Sequence, residues 1–144
     1  ANKICFEISE TLVIANLSDA IRFINRIKNF GCCFCLDDFG SGLSSFSYLK
    51  SLPVDYLKIG GGFVKDMEND PVQEAIVQSV NHIGRMMGRQ TIAECVENRE
   101  TLERLKEIGV DYVQGYAIDK PRLLHRIQRK KKNDITSDDV SDLV

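Results

Sequence analysis

The stretch CCFCLDDFGSGLSS, residues 32–45, joins an apolar run to two adjacent carboxylates and a glycine-containing loop. CCFCL has the length and side chains of a buried strand, and Asp37 and Asp38 stand where that strand ends. Two carboxylates so close together repel each other unless a cation or a proton offsets their charge. The stretch therefore predicts a strand that delivers charged chemistry at its C-terminal end.

The rest of the chain alternates in the same way between strand-like and helix-like segments. Short β-rich runs begin at Lys3, Cys32, Val54, Gln90 and Asp111. Helical patterns cover residues 16–30, 70–88 and 98–109, and a shorter helix is expected within 44–52. Parallel strands need a crossover of about a dozen residues, usually a helix. The pattern predicts an α/β fold of about five βα units.

Composition narrows the class of protein. The chain has 144 residues and 43% hydrophobic content, enough for one domain with a sizeable core. Its formal net charge of −2 argues against duplex nucleic acid as a partner. There is no apolar run of the roughly twenty residues that span a bilayer, and no signal-peptide pattern. We expect a cytoplasmic protein with no membrane span in this chain.

The five cysteines are expected to be reduced, buried thiols. Three of them, Cys32, Cys33 and Cys35, lie in one strand, where neighbouring side chains point to opposite faces. A metal site built from them is the alternative, but this spacing lacks zinc-ligand geometry.

A polar residue stands at the C-terminal end of every predicted strand. These residues are Glu7, Asp37 with Asp38, Lys58, Glu94 and Gln114. In proteins built of βα units, ligands bind at that end of the strands. Four carboxylates are hard oxygen ligands that suit Mg²⁺ or Mn²⁺, and one nearby lysine suits a phosphate ester. The strand ends therefore predict metal-assisted chemistry on a phosphate.

Two simpler interpretations stay open for individual residues. Asp38 or Glu97, taken alone, could be the N-cap of a following helix. The run Gly60-Gly61-Gly62 could cradle a phosphate, although the lysine and serine of a P-loop are absent.

Four segments resemble, in order and spacing, the later motifs of EAL domains, the bacterial phosphodiesterases that open cyclic di-GMP to linear pGpG. They are FEISET, LDDFGSGLSSFSYLKSLPVDYLKI, TIAECVEN and DYVQGYAIDKP. The resemblance covers residues 1–121 and implies a TIM-like (β/α) barrel of which this chain is the C-terminal portion. It also implies two bound divalent cations, a homodimer and attachment to other signalling domains.

The resemblance assigns roles by position. Glu7 resembles a metal ligand, Asp37 the carboxylate that bridges two cations, and Asp38 and Glu94 ligands of the second cation. Lys58 resembles the lysine that contacts the attacking water, and Gln114 would support the site. Glu10 would hold the loop 39–45, and Glu97 is the second glutamate of the AEGVE-like motif.

The chain departs from the family pattern at two positions. Gly60 replaces the acidic residue of the family's KID motif, and Cys95 replaces the glycine of AEGVE. Five βα units also fall short of the roughly 250 residues of a closed eight-stranded barrel. We expect the first three strands, with the EAL glutamate and a ligand asparagine, to be missing from this chain.

Two functions remain open at this point. One is a cyclic di-GMP phosphodiesterase with a two-metal mechanism, of which the isolated chain is inactive. The other is a degenerate EAL domain that acts as a cyclic di-GMP receptor or a protein-interaction module. Residues 122–144 are expected to form a terminal helix and a disordered polar tail, with binding to an anionic surface as the alternative.

Overall fold

The structure is a computed structural model that describes residues 2–40 and 46–121. Within them, five parallel strands lie in one sheet in the order β1-β2-β3-β4-β5. The strands are β1 (Cys5–Ser9), β2 (Cys33–Phe39), β3 (Tyr56–Ile59), β4 (Gln90–Ala93) and β5 (Tyr112–Val113). The α/β class and the five-stranded parallel sheet are as predicted, and the arrangement is consistent with part of a barrel; within the described residues, no helix follows β5.

Within the described residues, five α-helices connect the strands, and two of them were not predicted. The helices are α1 (Glu10–Ala15), α2 (Leu17–Lys28), α3 (Gly61–Asp66), α4 (Pro71–Met86) and α5 (Arg99–Ile108). The predicted helices correspond to α2, α4 and α5, whereas α1 and α3 are too short to show a helical period. The short helix expected within 44–52 is a 3₁₀-helix at Phe46–Lys50.

Side-chain caps explain where the helices begin. The side chains of Asn16, Asp70 and Asn98 each accept a hydrogen bond from a backbone amide in the first turn of α2, α4 and α5. Gly109, in the left-handed conformation, ends α5. The capping interpretation of Glu97 is wrong, because its neighbour Asn98 is the cap.

The hydrophobic core lies between the sheet and the helices. Phe34, Leu36 and Leu57 contribute fully buried side chains from the strands, and Ile24 and Val77 do so from the helices. The alternate strand residues point to the opposite face of the sheet. Among the described residues, no helix covers that opposite face.

The uncovered face carries residues that a complete barrel would enclose. Among them, Cys33 and Tyr56 are half-buried, and the Tyr56 ring meets the Tyr112 ring edge-on with centroids 6.0 Å apart. Cys5 is exposed and Cys33 partly so, which corrects the prediction that all five thiols are buried. β1 and β5 each have a single neighbour within the described part of the sheet, as expected of an incomplete barrel.

The same tripeptide, Val-Asp-Tyr, leads into both β3 and β5. Its aspartate holds the N-terminal ends of neighbouring strands together. Asp55 accepts a hydrogen bond from the amide of Phe34 on β2 at 2.9 Å. Asp111 likewise accepts the amide of Thr91 on β4 at 2.8 Å and its hydroxyl at 3.1 Å. These aspartates accept hydrogen bonds from backbone amides at the N-terminal ends of the strands, which form the edge of the sheet opposite the predicted site.

Asp111→Ala is expected to destabilise the fold by about 2 kcal/mol, because the buried Thr91 amide loses its acceptor. Asp66→Ala, at the exposed end of α3, is the matched control and should change the free energy of unfolding by less than about 0.5 kcal/mol. Urea unfolding followed by circular dichroism measures both. Equal stability of the two variants would contradict this role of Asp111.

Candidate active site

A β-bulge places the two adjacent aspartates on one side of the sheet. Leu36 of β2 lies opposite Leu57 of β3, and Phe39 lies opposite Ile59, so three steps along β2 match two along β3. Asp38 has a φ of 55°, a left-handed conformation in which aspartate is more common than most residues. In a regular strand, neighbouring side chains would point to opposite faces.

Contacts with the end of β3 show where the aspartates point. Asp37 Oδ1 lies 3.4 Å from Lys58 Nζ. A Cβ built on Gly60, two residues further along, would lie 3.6 Å from Asp38 Oδ1. Both carboxylates therefore face the C-terminal end of β3. Since Asp38 lies inside β2, the helix-cap interpretation of this residue is wrong.

Lys58 joins the first two strands at this end of the sheet. Its side chain is 5% exposed, and Nζ lies 2.7 Å from Glu7 Oε1 and 3.4 Å from Asp37 Oδ1. Burial alone would lower the pKa of Lys58, but the hydrogen bond to Glu7 and the charge of Asp37 outweigh it and raise the pKa above its ordinary value of 10.5. Lys58 is therefore a fixed positive charge at neutral pH.

Glu94 and Gln114 follow directly after β4 and β5. Glu94 Oε1 accepts a hydrogen bond from the Gly61 amide at 3.1 Å. Gln114 is exposed, and its backbone pairs with Ala93 and Val96. Its side chain borders the uncovered face together with Glu7.

Glu10 and Glu97 lie apart from this group. Glu10 is buried at the start of α1, where Oε1 accepts the Tyr48 hydroxyl at 2.6 Å and Oε2 accepts the Gly40 amide at 3.2 Å. Glu10 thus contacts both flanks of the segment 41–45, which lies outside the described residues. Glu97 pairs with Lys65 of α3 at 2.9 Å on the surface.

The residues at the strand ends are suited to a divalent cation by their chemistry. Asp37 Oδ1 is buried and makes no hydrogen bond within the described residues beyond its long ion pair with Lys58 at 3.4 Å, and such a hard oxygen suits a divalent cation. In the part of the chain that is described, no three histidine, cysteine, aspartate or glutamate side chains stand close enough to hold a metal ion together. Glu7 instead faces Lys58, and Glu94 faces the Gly61 amide.

Sequence patterns did not reveal three features of the site. The bulge in β2 has no glycine or proline to mark it. Tyr48 and the Gly61 amide act through contacts with residues 38 and 33 positions away in the chain. The roles of Tyr48 and the Gly61 amide are visible only from the residues that they contact. Those contacts become known only when the pairing of the strands is known.

The fold and the strand-end carboxylates together define a barrel-type α/β domain with a candidate site for phosphate chemistry. The sequence model of the EAL domain family matches residues 1–121, and the chain belongs to this family. Phosphodiesterases of the family depend on a metal ion. Nothing in the described helices is long and apolar enough to cross a membrane.

Relatives and solved structures agree with this family. A cyclic di-GMP phosphodiesterase of Shewanella oneidensis, PdeB, is 47% identical over 121 residues, which cover 84% of this chain and 14% of that protein. The EAL domain of Mycobacterium smegmatis DcpA has a TM-score of 0.83 at 33% identity, covering 94% of this chain and 61% of that one. The PaMucR phosphodiesterase, solved in complex with c-di-GMP, has a TM-score of 0.83 at 28% identity and shares 88% and 51%.

Lys58→Met is expected to lower the free energy of unfolding by about 2 kcal/mol without added metal, because it leaves Asp37 without its cation. Glu7 is half-exposed, which keeps the cost below that of a fully buried pair. Lys65→Met removes a pair whose side chains are both about half-exposed, and it should lower the free energy of unfolding much less than Lys58→Met.

The pH dependence of this effect follows from the raised pKa of Lys58. The ion pair stabilises the fold fully below the ordinary lysine pKa of 10.5 and is lost as pH rises through the higher folded value. The cost of Lys58→Met should therefore stay constant between about pH 6 and 9 in urea unfolding. A cost that disappears within that window would contradict the assigned charge state.

Proposed function

We propose that this chain is the C-terminal portion of a cyclic di-GMP phosphodiesterase domain that hydrolyses cyclic di-GMP to linear pGpG. The observation that carries the proposal is the bulge in β2 of a chain of the EAL family, which leaves Asp37 facing Lys58 and Asp38 facing Gly60 at the C-terminal end of β3. The name of the Shewanella oneidensis relative and the c-di-GMP complex of PaMucR support the choice of substrate.

The chemistry would use two divalent cations, Mg²⁺ or Mn²⁺. Such a pair stabilises the entering and leaving oxygens of an in-line displacement at phosphorus. In this chain, Glu7, Asp37, Asp38 and Glu94 are the residues that would hold the cations, with Asp37 between them. The resemblance to the family gives Asp37 the bridging role, and its buried Oδ1, whose described partner is Lys58 at 3.4 Å, is a hard oxygen that suits a cation.

Lys58 and Gln114 would act on the substrate side of the site. Lys58 stays protonated at neutral pH. It can therefore donate hydrogen bonds to a phosphate oxygen or to the attacking water, but it would not accept a proton from that water. Gln114 would support the same groups, and its position beside Glu7 on the uncovered face is consistent with that role. Glu10 would fix the flanks of the segment 41–45, and Glu97 would keep α3 against the β4–α5 loop.

The chain spans 14% of the Shewanella oneidensis relative, 51% of the PaMucR chain and 61% of the DcpA chain, so the segments that complete the domain are part of the proposal. We expect preceding strands to pair with β1 and to supply the remaining ligands, and the 144 residues alone to be inactive. Cytoplasmic location, a homodimer and attached signalling domains are part of the same proposal. The unpaired edges of β1 and β5 favour association with another segment or copy.

Gly60 favours a second candidate, a receptor that binds cyclic di-GMP without hydrolysing it. This glycine stands beside Asp38 where the family carries an acid, so one possible cation ligand is absent. Such a receptor would bind the nucleotide with equal affinity in the presence of EDTA or Mn²⁺.

The test is hydrolysis of cyclic di-GMP by the natural polypeptide that contains this chain, with Mn²⁺ and chromatographic detection of pGpG. Asp37→Asn should lower turnover more than about 100-fold, because even residues that only support metal ligands contribute 10- to 100-fold. Glu100→Gln, an exposed carboxylate on α5, is the matched control and should keep full activity.

Metal-independent binding of the nucleotide without any pGpG would favour the receptor and contradict the enzyme. Equal turnover of Asp37→Asn and Glu100→Gln would contradict the assignment of Asp37.

A further inference from the structure

The three consecutive glycines after β3 have different surroundings. A Cβ on Gly62 would meet nothing within 4 Å, and a Cβ on Gly60 would make ordinary contacts, the nearest at 3.6 Å. A Cβ on Gly61 would overlap Cys95 Sγ and lie 3.0 Å from Cys95 Cβ. Only the middle glycine is required by packing.

Cys95 causes this restriction through its own backbone. Its φ is 59°, a left-handed conformation that residues with a side chain rarely adopt. The side chain is partly buried and fills the space beside the first residue of α3. Gly61 and Cys95 are thus complementary: the thiol occupies the volume that a side chain at position 61 would need.

The same contact region holds the carboxylate of Glu94. Glu94 Oε1 accepts the Gly61 amide at 3.1 Å, and a Cβ on Gly61 would lie 3.3 Å from that oxygen. A side chain at position 61 would therefore press on Cys95 and Glu94 together. Because its amide is already engaged by a carboxylate, Gly61 is not free to cradle a phosphate.

We propose that Gly61 is a positioning residue, whose amide fixes the orientation of the Glu94 carboxylate, and that Cys95 makes position 61 accessible to glycine alone. The hydrogen bond leaves the second oxygen of Glu94 to face a cation. Neighbours that orient a ligand in this way commonly contribute 10- to 100-fold to metal affinity. The metal-binding consequence rests on the proposed function, whereas the hydrogen bond and the packing do not.

The first test compares Gly61→Ala with Gly62→Ala in the natural polypeptide, by isothermal titration with Mn²⁺. Gly61→Ala should weaken Mn²⁺ binding by about tenfold or more, and Gly62→Ala, which enters open space, by less than about twofold. Adding Cys95→Gly to Gly61→Ala removes the obstructing side chain and should restore most of the lost affinity. Equal affinities of the two alanine variants, or no recovery in the double variant, would overturn the proposal.

The second test needs no metal and stays informative if Gly61→Ala does not fold. In protein labelled with ¹⁵N-glycine, Glu94→Ala, which removes the acceptor, should shift the Gly61 amide signal and speed its hydrogen exchange, and should change the Gly62 signal much less. An unchanged Gly61 signal would overturn the proposal. If the wild-type protein bound no Mn²⁺ but Gly61 responded to Glu94→Ala, the proposed function would fail while the hydrogen bond stood.

Discussion

The charge of Lys58 is the interaction on which the arrangement of the strand ends depends. Carboxylates from neighbouring strands converge there, and they cannot stay close together in a partly buried place without a compensating charge. Lys58 Nζ supplies that charge to Glu7 and Asp37 at 2.7 and 3.4 Å. The raised pKa of Lys58 shows that the carboxylates favour the protonated form more than burial disfavours it. The negative potential of these carboxylates would also favour the binding of cations at this end of the sheet.

The segment after β3 is tied to the segment after β4 by contacts along the length of α3. Its first residue, Gly61, holds Glu94; Lys65 pairs with Glu97; and Glu68, beyond its C-terminal end, accepts the hydroxyl of Thr101. Because Glu94 directly follows β4, these contacts fix the position and orientation of its carboxylate relative to the end of β3. These polar contacts add to the burial of Val64 and Met67 in the core, which also holds α3 in place.

The sequence could predict whatever depends on periodicity and on strand ends. The five strands, their parallel order and the helices α2, α4 and α5 follow from apolar spacing and from caps such as Asn98. Glu94 and Gln114 directly follow β4 and β5, as predicted, whereas Glu7 lies in the middle of β1 and Lys58 one residue before the end of β3. The bounds were less accurate: β5 has two residues, and β2 continues through Asp37 and Asp38 to Phe39.

The sequence could not predict what depends on contacts across the chain. The bulge in β2 arises from a one-residue mismatch with β3, which no local pattern encodes. The triple glycine suggested a phosphate cradle or a lost carboxylate, yet the requirement for Gly61 comes from Cys95, 34 positions later. Burial of the cysteines was overestimated for Cys5 because it lies on an edge strand with a single neighbour in the described sheet.

The central claim is that the paired aspartates hold two cations close together, and electron paramagnetic resonance of Mn²⁺ tests it most directly. The natural polypeptide loaded with Mn²⁺ should show the spectrum of a spin-coupled pair, since the ions of two-metal sites stand about 3.5–4 Å apart. Asp37→Asn should abolish the coupling and leave signals of isolated ions. A wild-type spectrum of isolated ions alone, at saturating Mn²⁺, would contradict the account.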